Sequence, residues 1–166
     1  MGTTEIIIGN ICSLLAMGTD AISSTRKTAK GILLVQSLSQ FFYCLGTIVL
    51  KGYSGTVQNA LSIVRNIVAI RKINSKAVEW TLVLLGVVLG IAFNNLGMIG
   101  YLPVIANLQY TLAVFKFKDN ERALKISFVI CMGMFIVFNI AILNYVGACT
   151  KLFVFITTLI ILIKGK

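Results

Sequence analysis

Polar side chains recur along one apolar stretch of this chain, residues 53–71, at intervals that place them on one side of a helix. These residues, called here the polar stripe, are Gln58, Asn59, Ser62, Arg65 and Asn66. At about 100° per residue, their spacings of three, four and seven keep them on a common face. An arginine inside a membrane span costs about 2.5–3.5 kcal/mol to insert, so such residues usually face a bundle interior or a wet cavity. The stripe therefore predicts the wall of a cavity that binds a solute.

Two structural explanations compete with a cavity. Arg65 lies six residues before Arg71, about 9 Å at 1.5 Å per residue, so its long stem could reach the lipid headgroups. Asn59, Ser62 and Asn66 could instead join neighbouring helices through interhelical hydrogen bonds. If the stripe does line a cavity, a guanidinium without an acidic partner favours a small polar solute, and an anion if the solute is charged.

The chain offers few groups for catalysis or metal binding. It contains no histidine, and its five acidic residues lie in loops or towards the ends of apolar stretches. These acidic residues are Glu5, Asp20, Glu79, Asp119 and Glu121. The four cysteines, Cys12, Cys44, Cys131 and Cys149, lack the paired spacing of metal ligands and read as buried apolar side chains. General acid–base chemistry has no obvious participants. We therefore expect no enzyme, cofactor or metal site, and facilitated rather than proton-driven movement of any solute.

The overall composition indicates a protein that lies in lipid. Of 166 residues 58% are hydrophobic and 12% charged, and the mean hydropathy is +0.95. Soluble domains are about half apolar and a quarter charged. A spanning helix needs about 20 apolar residues, and the chain holds seven such stretches. They are residues 5–22, 29–50, 53–71, 78–94, 97–115, 123–143 and 146–164. We predict an all-α integral membrane protein with seven transmembrane helices.

Basic residues are distributed unequally between the two sides that these spans would define. Twelve of the fifteen fall in the odd-numbered loops and the C-terminal tail, against Lys51 and Lys151 on the other side and Arg65 within a span. The twelve are Arg26, Lys27, Lys30, Arg71, Lys72, Lys76, Lys116, Lys118, Arg122, Lys125, Lys164 and Lys166. Cytoplasmic loops carry the excess of Lys and Arg, so the N-terminus is predicted outside and the C-terminus in the cytoplasm. The net charge of +10 then reflects contact with anionic headgroups, not nucleic-acid binding.

The two ends of the chain are similar to each other. A shift of 92 positions overlays residues 21–72 on 113–164 without a gap, pairing Tyr53 with Tyr145 and Gly55 with Gly147. Three spans reverse the direction of the chain, so one extra span is needed to make a second triplet parallel to the first. We predict two parallel three-helix repeats, residues 1–76 and 97–166, joined by a linker helix in residues 77–96. This arrangement resembles that of SWEET sugar transporters and PnuC vitamin transporters.

The overlay also pairs Thr157 and Thr158 with Arg65 and Asn66. If a cavity lies between the repeats, the two threonines should face Arg65 and Asn66 across it. Their hydroxyls could equally bond back to their own helix. The predicted solute-binding residues are Asn59, Ser62, Arg65, Asn66, Thr157 and Thr158.

Two segments resemble the YgjV family of bacterial inner-membrane proteins. In that family a Gly, an Asn four residues later and then an Arg-Asn pair mark the third span, matched here by Gly55, Asn59, Arg65 and Asn66. The segment 101–105, Tyr-Leu-Pro-Val-Ile, is similar to the Leu-Pro-containing fifth span of the family. The resemblance covers almost the whole chain.

The resemblance implies a multi-pass protein of the bacterial inner membrane. The wider likeness of the family to SWEET, PnuC and PQ-loop proteins implies transport of a small solute by alternating access between two triple-helix bundles, with Pro103 as a hinge. The chain departs from that wider group because Pro103 is its single proline, and because its single tryptophan, Trp80, lies in the linker helix and cannot form the aromatic clamp of SWEETs. The alternative function is a membrane receptor or assembly factor that acts through its basic loops and moves no solute.

Overall fold

The computed structural model of the protein describes residues 2–24, 29–71, 73, 75–116 and 121–164. These residues form seven α-helices and one short 3-10 helix, Gly97–Gly100, and they contain no strand. The α-helices are α1 Thr3–Ser24, α2 Ala29–Val49, α3 Tyr53–Ile70, α4 Lys76–Ala92, α5 Tyr101–Lys116, α6 Glu121–Ala141 and α7 Tyr145–Lys164. Of the loop charges used above, Arg26, Lys27, Lys72, Lys118, Asp119 and Lys166 lie outside the described residues.

Each predicted span overlaps one of these helices, so the all-α class is confirmed. The largest difference is at the start of the fifth span, where α5 begins only at Tyr101. The Asn94 side chain explains the delay: it accepts a hydrogen bond from Leu96 N–H (3.0 Å) and donates one to the Gly97 carbonyl (2.8 Å). Gly97 adopts a φ of 56°, which a glycine tolerates and a regular helix does not.

Judged by length and composition alone, two helical segments are long and apolar enough to cross a membrane: Thr3–Ile22 and Tyr145–Lys164. Leu33–Val49 and Lys125–Ala141 are apolar but shorter. α3 owes its lower apolarity to the polar stripe. The number of crossings therefore stays a prediction.

α2 and α6 end in the same type of turn. Each ends with a non-glycine residue in the left-handed region, Lys51 (φ 56°) and Leu143 (φ 59°). In the first turn, Gly52 N–H donates to Thr47 O (2.8 Å) and Lys51 N–H to Ile48 O (3.0 Å). This pair of bonds is the Schellman motif, which satisfies the last carbonyls of a helix.

The second turn repeats both bonds. Asn144 N–H donates to Asn139 O (2.9 Å) and Leu143 N–H to Ile140 O (3.0 Å). Every atom pair in this turn is offset by 92 positions from its counterpart in the first turn.

The helices pack as two groups of three. α2 contacts α1 and α3, and α6 contacts α5 and α7, while α4 contacts α3 and α5. α1 contacts α7 and α3 contacts α5, which joins the two groups. The two Schellman turns and the start of the 3-10 helix come together at one end of the bundle, called here the turn end. The opposite end, called the basic end, carries the described residues Lys30, Arg71, Lys76, Arg122, Lys125 and Lys164.

The turn end is closed by apolar side chains from both halves of the chain. Leu50, Phe138 and Ile142 are each at most 2% exposed, and Leu96 and Leu102 pack against them. This cluster is called here the apolar seal. Gly55 of α3 allows the approach of Phe138, since a β-carbon at Gly55 would lie 2.5 Å from Phe138 Cε1.

Two asparagine side chains, each from a part of the chain outside the triplet concerned, form hydrogen bonds to the Schellman turns. Asn10 of α1 donates from Nδ2 to Leu143 O (2.9 Å) and accepts through Oδ1 from Val146 N–H (2.9 Å). Asn95, after α4, donates to Lys51 O (2.6 Å) and accepts from Tyr53 N–H (3.4 Å). Each turn is therefore held by an amide from a part of the chain outside its own triplet. These contacts are called here the asparagine clamps.

Candidate functional site

A polar cavity of about 420 Å³ lies between the two triplets. Its volume falls within the range of about 300–1,000 Å³ that is typical of small-molecule sites. All the α-helices except α4 contribute residues to its wall. The polar lining residues of the first triplet are Asp20, Gln36, Gln40, Asn59, Ser62, Arg65 and Asn66. Those of the second triplet are Asn107, Tyr110, Thr150 and Lys151, with Phe128, Cys131, Met132, Phe135 and Val154 as the less polar part of the wall.

Four of the six predicted solute-binding residues line this cavity: Asn59, Ser62, Arg65 and Asn66. The helical face inferred from their spacing is the reason, because α3 turns that face towards the second triplet. Ser62 Oγ also donates to Gln58 O (2.9 Å), and Asn66 Nδ2 reaches Ser37 Oγ of α2 (3.4 Å). Ser62 and Asn66 thus line the cavity and also form hydrogen bonds within the first triplet.

Gln58, the first residue of the polar stripe, behaves differently from the rest. It is only 2% exposed, and its Nε2 donates to Gly86 O of α4 (2.7 Å). Its Oε1 accepts a hydrogen bond from Asn107 Nδ2 of α5 (3.1 Å). Gln58 therefore makes the kind of interhelical hydrogen bonds that were the alternative explanation for Asn59, Ser62 and Asn66.

The structure does not bring Thr157 and Thr158 into the described cavity wall. Thr157 Oγ1 donates to Phe153 O (2.9 Å) and Thr158 Oγ1 to Val154 O (2.8 Å), both within α7. The expectation that they face Arg65 and Asn66 across the cavity is therefore not met, and bonding to their own helix accounts for both hydroxyls. α7 lines the cavity nearer its start, through Thr150, Lys151 and Val154.

Pro103 lies in the first turn of α5 and is completely buried. Helix N–H groups in a first turn have no intrahelical partner, so a proline is tolerated there without bending the helix. Its predicted role as a hinge stays a prediction, with the pivot placed at the start of α5 and not within it.

Lys151 and Asp20 are cavity residues that sequence reasoning missed. Lys151 was counted with the sparsely charged loops, yet its Nζ lies 4.4 Å from the centroid of the Tyr43 ring, a cation–π contact. Tyr43 in turn donates its hydroxyl to Asp20 Oδ2 (3.4 Å). The 92-residue overlay held the missing signal, because it pairs Lys151 with Asn59 of the polar stripe.

Arg65 has no acidic partner in the described part of the chain. The ion pair found there joins Glu5 to Lys51 (3.4 Å) at the turn end, far along the helices from Arg65. Arg65 borders both the cavity and a narrow space of about 40 Å³ between α3, α4 and α5. Its guanidinium is thus available to a molecule in the cavity.

The cavity lies nearer the basic end than the turn end. Its residue closest to the turn end is Thr150, five positions inside α7, followed by Asn59 and Lys151, each six positions inside α3 and α7. These positions are about 7.5–9 Å from the helix starts at 1.5 Å per residue. In the other direction the lining reaches Asp20 and Asn66, each four positions from the end of its helix. The apolar seal occupies the length between the cavity and the turn end.

A family model named Imp-YgjV, described as bacterial inner membrane protein, matches residues 7–165. No curated protein matches the chain, and no solved structure does.

Proposed function

Because the chain belongs to the Imp-YgjV family of bacterial inner membrane proteins, we propose that it moves a small polar solute across that membrane by alternating access. The observation that carries this proposal is the polar cavity, which both triplets line and which the apolar seal closes at one end. Polar and charged side chains are costly inside a bilayer and usually mark a solute pathway. A receptor or an assembly factor that acts through its basic loops would have no need of an interior space of this size.

The proposed topology has seven crossings, with the N-terminus outside and the C-terminus in the cytoplasm. The charges of the described residues support this orientation. Six basic side chains lie at the basic end, whereas the turn end carries Lys51, which is paired with Glu5. Lys151 no longer counts for the outer side, because it lies in the cavity wall. With cytoplasmic loops rich in Lys and Arg, the turn end would face outward.

The two triplets are proposed to be parallel repeats with α4 as the linker. The matching Schellman turns support this, because left-handed non-glycine residues are uncommon and here they recur at positions 92 apart. The cavity wall supports it too, since Asn59 of α3 and Lys151 of α7 are equivalent under the same shift and both line the cavity. A likeness to SWEET proteins remains a prediction.

Alternating access requires that the turn end open at some stage of the cycle. In the structure that end is held by the apolar seal and the asparagine clamps. With the proposed orientation, this conformation would be closed to the outside. Parting the triplets would separate Leu50 from Phe138 and break the contact of Asn10 with the turn at Leu143. The cavity would then exchange its solute with the outer side.

The experiment is uptake of labelled small polar solutes by proteoliposomes containing the purified protein. Arg65→Leu and Asn66→Leu should reduce uptake of a transported solute at least tenfold, because each removes a polar group from the cavity wall. Thr81→Ala is the matched control, since its hydroxyl is exposed and bonds to Ala77 O of its own helix (2.7 Å). Unchanged flux in both cavity variants would refute the assignment of the cavity.

The receptor alternative has its own test. Folded protein that moves no solute from a broad panel would refute transport. If exchange of Lys116, Lys118 and Arg122 for serine then abolished the activity of the protein in cells without changing its topology, the protein would be a receptor or an assembly factor.

A further inference from the structure

We propose that the cavity selects a small organic monocarboxylate, bound between Arg65 of the first triplet and Lys151 of the second. The inference rests on the proposed function insofar as it takes the cavity to be the solute site. It goes further by naming the charge and the chemical group of the solute.

The first argument is the charge of the cavity wall. Its described lining includes two cations, Arg65 and Lys151, and one carboxylate, Asp20. An ion removed from water without a partner is strongly destabilised. One positive charge in excess is therefore best neutralised by a solute with one negative charge. A cationic solute would increase the imbalance, and a neutral solute would leave it unchanged.

The second argument concerns which cation is free. Asp20 accepts a hydrogen bond from the Tyr43 hydroxyl, and Lys151 lies over the Tyr43 ring. Asp20 and Lys151 thus contact the same aromatic side chain, so the carboxylate acts mainly on the lysine. Among the described residues, the ion pair that is found joins Lys51 to Glu5, so Arg65 has no carboxylate partner there. Its guanidinium is the group that a carboxylate would bind, through two parallel N–H···O bonds.

The third argument is the spacing of the two cations. Arg65 lies six residues further along α3 than Asn59, which is at the same depth as Lys151 of α7. At 1.5 Å per residue, the backbone positions of Arg65 and Lys151 are about 9 Å apart along the bundle axis, a distance that the two long side chains can shorten. A carboxylate on Arg65 would leave the rest of the molecule beside Gln40, Ser62 and Asn59, which lie at the depths between the two cationic residues. Amide side chains donate and accept hydrogen bonds, so that part should carry hydroxyl or amide groups.

The number of negative charges distinguishes a carboxylate from a phosphate ester as the group bound in the cavity. A phosphate monoester carries about −1.5 to −2 charges at pH 7, which exceeds the single positive charge left over in the cavity wall. A monocarboxylate matches it. Each half of the bundle also supplies one cation, so the bound anion would join the two triplets electrostatically.

The test measures thermal stabilisation of the purified full-length protein in detergent by three probes of similar size: glycerate, glycerol and ethanolamine. Glycerate should stabilise the protein, and the neutral and cationic probes should not. Arg65→Gln should weaken glycerate binding about tenfold or more, because it removes a hydrogen bond to a charged group. Lys151→Gln should weaken it less, since Lys151 is already in contact with Tyr43. Arg65→Lys keeps the charge and should retain part of the binding. This variant also tests the proposal if Arg65→Gln does not fold.

A second measurement uses proteoliposomes with an imposed membrane potential. An inside-negative potential should slow glycerate uptake, and an inside-positive potential should accelerate it. Stabilisation by glycerol equal to that by glycerate, or unchanged binding in Arg65→Gln, would overturn the monocarboxylate proposal. Flux of neutral solutes without an anion preference would overturn it and leave transport standing. Binding of glycerate without any flux would support the monocarboxylate site and overturn the proposed transport.

Discussion

The asparagine clamps allow a quantitative test of the proposed opening at the turn end. Asn10 makes two hydrogen bonds to the turn between α6 and α7, each 2.9 Å long, through Leu143 O and Val146 N–H. A hydrogen bond contributes about 1 kcal/mol net to stability, so Asn10→Ala should weaken the closed end by about 2 kcal/mol. If these bonds are absent from the outward-open state, its population relative to the closed state should rise about 30-fold.

The assay is the labelling rate of a cavity cysteine by a membrane-impermeant thiol reagent added from outside. Asn59→Cys places the thiol in the part of the cavity wall that lies towards the turn end, in a background whose four native cysteines are replaced by serine or alanine. Asn10→Ala should accelerate labelling by up to about 30-fold while the outward-open state is the minor one. Asn95→Ala should act in the same direction, because Asn95 holds the equivalent turn at Lys51.

The matched control is Thr81→Ala, which removes an exposed hydroxyl bond within α4 and should leave the labelling rate unchanged. A rate for Asn10→Ala within twofold of the parent, in protein that remains monodisperse, would refute the assignment of the clamp as part of an outer gate. Faster labelling from the cytoplasmic side alone would refute the proposed orientation.

Three further outcomes follow from packing and backbone geometry. Gly90→Val should destabilise the protein by about 1–3 kcal/mol through overpacking, because a β-carbon there would lie 2.5 Å from Val104 Cγ2; an unchanged midpoint of thermal unfolding would contradict the packing of α4 on α5. Leu143→Gly should raise that midpoint, since a left-handed leucine costs about 1–2 kcal/mol and glycine adopts the conformation freely; a lower midpoint would show that the leucine side chain matters more. Thr157→Val and Thr158→Val should each change uptake less than twofold, as both hydroxyls bond to their own helix, and a tenfold loss would return them to the solute site.

Helix positions were predictable because long apolar runs and basic breaks are local signals. The polar stripe was predictable for the same reason, since the helical period alone places Asn59, Ser62, Arg65 and Asn66 on one face. The start of α5 was not, because a single side chain, Asn94, sets the turn before it. Such a turn depends on hydrogen bonds that composition does not reveal.

The other differences between sequence-based prediction and structure concern which part of a helix, along its length, lines the cavity. Thr157 and Thr158 continue the face of α7 that carries Lys151 and Val154, but they lie beyond the described lining. Lys151 was misassigned because a lysine six residues after a predicted turn reads as a loop charge. Its contact with Tyr43 depends on how the triplets pack, which is a tertiary property.

The short connection between α2 and α3 has a consequence for biosynthesis. Within the described residues, the first and last helices alone contain segments long and apolar enough to cross a bilayer, so α3, with its arginine, is poorly suited to enter lipid alone. The compact Schellman turn joins α3 to α2 through local hydrogen bonds, so we expect the two helices to pair once both have left the ribosome. The pair can therefore partition into the membrane as a hairpin, with α2 shielding the amides from acyl chains. Lengthening that turn with a flexible insert should impair co-translational integration before it impairs any activity of the mature protein.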